Sequence, residues 1–165
     1  MARDHARIQT AIWNDPDWRK LDQGAQHLYW MLASSPDLSY CGRLDYIPGR
    51  MTDLCSGLTA PKIHAAVKRL ERGRYIVVDR KTHELLVRSF IRHDGILARR
   101  NMGHACARAL GLVHSQPIRD AVLHELARLW VEDSARDGWA GFKDYDPMAF
   151  DMACAIASDM ERGMA

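Results

Sequence analysis

Leu58-Thr-Ala-Pro-Lys-Ile-His-Ala-Ala-Val-Lys-Arg-Leu-Glu-Arg-Gly-Arg-Tyr75 is the stretch on which the reading of this chain turns. At about 100° per residue, Ile63, Ala66, Val67 and Leu70 fall on one narrow stripe. The opposite face carries Pro61, Lys62, Ala65, Lys68, Arg69 and Arg72. Thr59 stands where an N-cap hydroxyl can accept from the free N–H groups of the first turn, and Pro61 where a missing N–H costs nothing. Gly73 is the expected C-terminal stop. Such a helix packs on one side and offers cations on the other, with small Ala65 letting its backbone come close to a surface.

Upstream, Arg50 to Cys55 reads as a short helix with Met51, Leu54 and Cys55 inward, ended by Ser56-Gly57. Gly57 supplies the left-handed residue needed to leave one helix and start another at once. Short helix, glycine turn and second helix make the helix-turn-helix pattern. Downstream, Tyr75–Asp79 and Glu84–Phe90 are strand-like runs on either side of Arg80-Lys81-Thr82-His83, a hairpin with a basic tip. The order predicts a winged helix: a mainly α fold with a small β-hairpin wing.

A chain of 165 residues fits one domain, or one small domain with an appendage. At this length it buries about 70% of its unfolded surface and needs no staples. No apolar run approaches the ~20 residues of a membrane span. The opening Met-Ala-Arg-Asp-His lacks the apolar core of a leader peptide. Cys41, Cys55, Cys106 and Cys154 are scattered without close pairing, which suits reduced thiols in a cytoplasm. The net charge of +2 hides a division: residues 1–41 sum to −1, residues 42–100 to +7 and residues 101–165 to −4. The cations gather in the helix-turn-helix and hairpin segment, which points to a polyanion partner there and a different task for the tail.

Around this centre the other elements follow. Arg7 to Trp13 is expected as a short strand or arm, and Asn14-Asp-Pro-Asp17 as a turn. Asp22 caps a helix to about Ala33 with Ala25, Leu28, Tyr29 and Leu32 inward. Gly42 to Ile47 is a third short strand, separated by Pro48 and Gly49 from the next helix. Asn101–Val113 and Pro117–Val131 are helices, the second repeating Ile118, Val122, Leu126, Leu129 and Trp130. Asp133–Asp146 is a connector rich in Gly and Asp, and Pro147–Arg162 a last helix carrying Met148, Phe150, Met152, Ile156 and Met160. The expected division is a winged helix-turn-helix over residues 8–95, then a C-terminal helical extension over 96–165 that packs back on it or forms a dimer.

The chain also resembles a family of winged-helix proteins of actinobacterial phages and prophages, similar in pattern to phage replisome-organiser and replication-initiator proteins. The resemblance is carried by Ile12-Trp-Asn-Asp-Pro-Asp-Trp18, Leu21, Ala25-Gln26, Leu28-Tyr29 and Leu32. It continues in Gly57-Leu-Thr59, Val67, Leu70, Val77-Val-Asp79, Glu84-Leu-Leu-Val-Arg-Ser-Phe-Ile-Arg92 and Asp94-Gly95. Ser115, Ile118-Arg119 and Glu125-Leu126 extend it, so that it spans roughly residues 8–130. Where the pattern has a Pro-Asn pair entering the next helix, this chain has Arg100-Asn101. The resemblance implies DNA binding, in replication initiation or transcriptional regulation.

In this reading the helix from Thr59 to Arg72 enters a major groove of double-stranded DNA. Pro61 and Lys68 lie on its outward face, Lys62, Arg69 and Arg72 are the candidates for base edges or phosphates, and Ala65 meets a thymine methyl. Arg80, Lys81 and His83 reach the flanking backbone or minor groove, and Arg99 with Arg100 adds phosphate contacts. A homodimer is expected, because one winged helix reads only a half-site. The competing readings are a solvated basic face, and a protein-interaction module that binds a host or phage replication protein. His93, Asp94, His104, Cys106 and His114 match no zinc spacing, and no phosphate loop or nucleophile elbow appears. No metal, cofactor or catalytic residue is therefore expected.

Overall fold

The computed structural model describes residues 6–164; the opening Met1–His5 segment, read above as no leader peptide, lies outside them. The elements run α1 (Pro16–Lys20), α2 (Gln23–Ala33), β1 (Arg43–Asp45), α3 (Pro48–Met51), α4 (Ala60–Arg72), β2 (Ile76–Asp79) and β3 (Glu84–Val87). Then follow α5 (Phe90–His93), α6 (Arg100–Gly111), α7 (Gln116–Glu132), α8 (Gly138–Tyr145) and α9 (Pro147–Met164). The fold is thus mainly helical with a small antiparallel sheet of order β1-β3-β2. Leu85 of the central strand faces Leu44 on one side and Val78 on the other.

Capping chemistry sets several boundaries. The Asp22 carboxylate accepts from the Ala25 amide at 2.9 Å and starts α2, whose Ala25, Leu28, Tyr29 and Leu32 are all buried as their spacing requires. The Ser115 hydroxyl accepts from the Ile118 amide at the start of α7. Gly57 takes φ 76°, the left-handed turn expected of it. Thr59 occupies the N-cap of α4 but its hydroxyl makes no capping bond. The Lys62 ammonium, 2.7 Å from the Gly57 carbonyl, bridges that turn instead.

Other expectations are corrected. Thr10–Asn14 is a 3-10 turn rather than a strand, and Asp15 caps α1 by accepting from the Asp17 amide at 2.8 Å, so the Asn14–Asp17 turn is a helix start. Pro48 and Gly49 open α3 instead of standing before it, because proline is pre-organised for a first turn. A 3-10 turn over Thr52–Leu54 follows α3 and rotates the side chains, so that Leu54 is 66% exposed while Met51 is buried. Cys55 is only half-buried. Asp133–Asp146 is no mere connector: it contains α8, with Trp139 and Phe142 in the core.

One contiguous core runs from Trp18 to Ala153. Its first centre is a cluster of edge-on rings in which Trp18, wholly buried, meets Trp30 at 5.1 Å and Tyr75 at 5.7 Å. Its second is Trp130, Trp139 and Phe150, where α7, α8 and α9 converge. The region after residue 96 is packed onto the sheet: α7 lies on β2 and β3, and α6 lies on α8. The α6–α8 approach is close because a Cβ at Gly103 would overlap the Gly138 carbonyl, and one at Gly141 the Arg100 carbonyl.

Two clamps hold α7. Glu84, wholly buried at the start of β3, accepts from the Ser115 amide at 2.6 Å, the His114 amide at 3.2 Å and Arg43 Nε at 2.9 Å. Arg92 of α5 donates to Glu125 at 3.0 Å and to Glu132 at 2.6 Å. Burial alone would lift the Glu84 carboxyl, but the His114 and Ser115 amides and Arg43 outweigh it and hold it below the usual carboxylate range. Its stabilising contribution is therefore present above the unfolded-chain value of about 4.3 and lost as pH falls through the lower folded value.

Gly141→Ala is expected to force α6 and α8 apart and lower the unfolding free energy by about 1–3 kcal/mol; denaturant unfolding at unchanged stability would refute the close approach. Glu84→Gln is expected to cost about 3–5 kcal/mol near neutral pH, since it leaves donors around an uncharged group. Acid-unfolding curves should also flatten in that variant below about pH 4.3.

Candidate functional site

The face of α4 is built by periodicity. Ile63, Ala66, Val67 and Leu70 are buried against α2, α3 and β2, and this turns Pro61, Lys62, Ala65, Lys68, Arg69 and Arg72 to solvent. Lys62, Ala65, Arg69 and Arg72 form one stripe along the helix at about 100° per residue. Two of its cations have internal partners. Lys62 is held over the Gly57 carbonyl, and Arg69 lies 3.2 Å from Asp22, the residue that caps α2. Among the described residues, Lys68 and Arg72 have no carboxylate within 4 Å.

Beside the helix, the hairpin presents Arg80, Lys81 and His83, all exposed. Arg80 does not reach outward freely: its guanidinium grips Glu71 of α4 through two bonds, of 3.2 and 2.8 Å, and braces the hairpin tip against the helix. The Lys81 amide donates to Asp79 at 2.9 Å, closing the turn. His83 takes φ 55° and its carbonyl accepts from the Tyr46 amide at 2.7 Å, which ties the tip to β1. The Ser115 hydroxyl, then the Lys81 amide, hold the Asp79 carboxyl below its ordinary range.

Arg99 and Arg100 stand apart from this face. Arg99 is the N-cap of α6 and Arg100 its first residue, paired with Asp144 of α8. Because α6 packs on α8 while α4 packs on α2, α3 and β2, these two arginines belong to the helical extension. The structure brings Thr59–Arg72 and the hairpin tip together, and leaves this pair with α8.

The end of α4 departs from expectation. Gly73 is its C-cap but keeps a right-handed φ of −74°; Arg74 takes the left-handed φ of 60°. The Tyr75 amide donates to the Leu70 carbonyl and the Arg74 amide to Glu71, the bond pattern of a glycine-type stop with arginine in the glycine position. The reason for glycine one residue early is steric: a Cβ at position 73 would sit 2.8 Å from the Tyr75 ring. Burial, aided by Asp15 and Asp17, pushes the Tyr75 phenol up to about 12.

Arg74 and Lys20 were absent from the candidate set read from sequence, yet both line a groove with Arg69 and Arg72. Arg74 was legible as the cation next to the stop, whereas Lys20 comes near α4 only through tertiary packing. Among the histidines and thiols, His104 meets Tyr145 edge-on with ring centroids 4.6 Å apart, and Cys106 is wholly buried with its thiol pushed well up. Burial and the neighbouring Arg92 lower His93. Among the described residues no three His, Cys, Asp or Glu are grouped so as to hold a metal ion, and no helix is long and apolar enough to cross a membrane.

Arg74→Gly should raise the unfolding free energy by about 0.5–1 kcal/mol, the left-handed penalty less the entropy glycine loses on folding; a denaturant midpoint below wild type would contradict the strain. Comparison with protein-family models, with characterised proteins and with solved structures finds no match to this chain.

Proposed function

We propose that the protein is a winged helix-turn-helix protein of bacteriophage or prophage type that binds double-stranded DNA sequence-specifically. It acts in replication initiation or transcriptional regulation, in the cytoplasm of the host cell. The observation that carries this reading is the division of α4: its apolar stripe is buried and its cationic stripe is exposed along the whole helix. Two further features support it. A turn at Gly57 joins α3 and its 3-10 extension to α4, and a three-stranded sheet of order β1-β3-β2 places the Arg80–His83 tip beside the helix. The resemblance described above supplies the phage setting.

In mechanism, α4 lies in the major groove with Lys62, Lys68, Arg69 and Arg72 toward bases and phosphates, and Ala65 permits close approach. Arg69 is not spent on Asp22, because an exposed pair contributes little and exchanges readily for a phosphate. Arg80 acts by fixing the wing, while Lys81 and His83 are its contacts. Two copies on a palindrome would double the reading length.

A second reading has its own observation. Leu54, exposed, lines a groove of about 360 Å³ with Met31, Ile47 and Met51 beside the charged Asp37, Asp45 and Arg50, a mixed surface of the kind that accepts a protein partner. In that case the chain is an interaction module for a host or phage replication protein.

Binding to fragments of the genome that encodes the chain, measured across salt concentrations, separates the two. A fragment bound specifically, with a log–log salt slope of about −0.9 per phosphate contact, is the expected result. Arg69→Ala and Arg72→Ala should each lose either about 0.9 of slope or about 1–3 kcal/mol at one base position. Absence of duplex binding at low salt, with Leu54→Asp abolishing capture of a replication protein, would favour the second reading.

A further inference from the structure

Beyond the last turn of α4 lies a shallow groove of about 590 Å³ between that helix and α1, lined by Lys20, Leu21, Arg69, Arg72 and Arg74 with one carboxylate, Asp17. Arg69 is shared with Asp22 at 3.2 Å and Lys20 with Asp17 at 2.8 Å, both exposed pairs. Among the described residues, Arg72 and Arg74 have no carboxylate within 4 Å. Cations near a helix C-terminus are stabilised by its dipole, and this accounts for Arg69 and Arg72. It does not account for Lys20, which comes from another element. Nor does it account for Arg74, which lies past the cap and adopts φ 60°, where glycine would be unstrained. A long cation stands where the backbone asks for glycine, and a strained residue of this kind is grounds for a functional hypothesis. Arg88 reinforces the turn from behind, its guanidinium 3.5 Å from the Arg74 carbonyl.

We propose that the groove between α1 and the end of α4 grips the phosphodiester backbone of duplex DNA, with Lys20, Arg72 and Arg74 as the phosphate ligands. The inference rests on the DNA-binding reading and deepens it: the outward stripe reads the major groove, and the groove beyond its end anchors the adjoining strand. On binding, Lys20 leaves Asp17 and exchanges a carboxylate for a phosphate oxygen. The contacts are to backbone alone, so they add affinity and register without sequence preference.

The experiment uses the full chain, a specific 30-base-pair duplex, an unrelated duplex and a single strand of the same length, titrated over a salt series. Lys20→Gln and Arg74→Gly should each reduce the log–log salt slope by about 0.9 and weaken both duplexes by the same factor. Arg74→Gly should melt at or above wild type, and Lys20→Gln reads the same groove from a different element. Wild-type duplex binding with unchanged slopes in both variants overturns the groove and leaves the function intact. Larger losses on the single strand than on the duplexes overturn the duplex assignment. Failure of the wild-type chain to bind either duplex at low salt overturns the groove together with the reading on which it rests.

Discussion

The buried carboxylate of Glu84 is the constraint on which the arrangement depends. A charge removed from water is costly unless nearly all its lone pairs are used. Here two backbone amides at the start of α7 and the guanidinium of Arg43 use them. The amides belong to Ser115, the N-cap of α7, and to His114 just before it, so the carboxylate lies at the positive end of that helix while Arg43 is its counter-ion. One group thereby joins β3, β1 and α7. Glu84 pairs with Asp79 on the rung next to the turn, so the tip of the hairpin cannot shift without breaking that joint. Arg80 then transmits the position of the tip to α4 through Glu71.

Much of this was written locally. The apolar stripe of α4, the Asp22 cap, the Gly57 turn and the hairpin each need only a few neighbouring residues, and such patterns survive folding. Part of what was missed involves residues distant in sequence, and part a local geometry that simple periodicity does not carry. Gly138 and Gly141 read as part of a connector and Gly103 as one residue of a helix; together they are the smooth surfaces that let α6 and α8 touch backbone to backbone. Gly73 looked like a left-handed stop, and only the Tyr75 ring shows why the left-handed residue is Arg74. Leu54 looked inward because an α-helical period was carried through residues that adopt a tighter 3-10 turn.

The candidate interface shows the same division. That Lys62, Ala65, Lys68, Arg69 and Arg72 share an exposed face follows from spacing alone. Which cations are engaged does not: Asp22 reaches Arg69 from the start of α2, and Glu71 of α4 captures Arg80 of the hairpin tip. Arg99 and Arg100 were grouped with the interface because they are basic and follow the hairpin in sequence. Their place in space is set by α6, whose glycine-lined contact with α8 brings Asp144 to Arg100.

The segregation of charge along the chain acquires a structural meaning from these pairings. The acidic extension meets the basic half at a seam where Arg92 is paired with Glu125 and Glu132, and within the extension Arg100 is paired with Asp144. Among the described residues the α4 face receives no carboxylate from the extension; its partner Asp22 comes from the start of α2. The extension therefore removes cations that would compete for a polyanion while leaving those of α4 available. A body with opposed charge on its two parts also turns in the field of an approaching phosphate backbone. In the proposed function, the tail that contributes nothing to base reading still decides which side of the molecule arrives first.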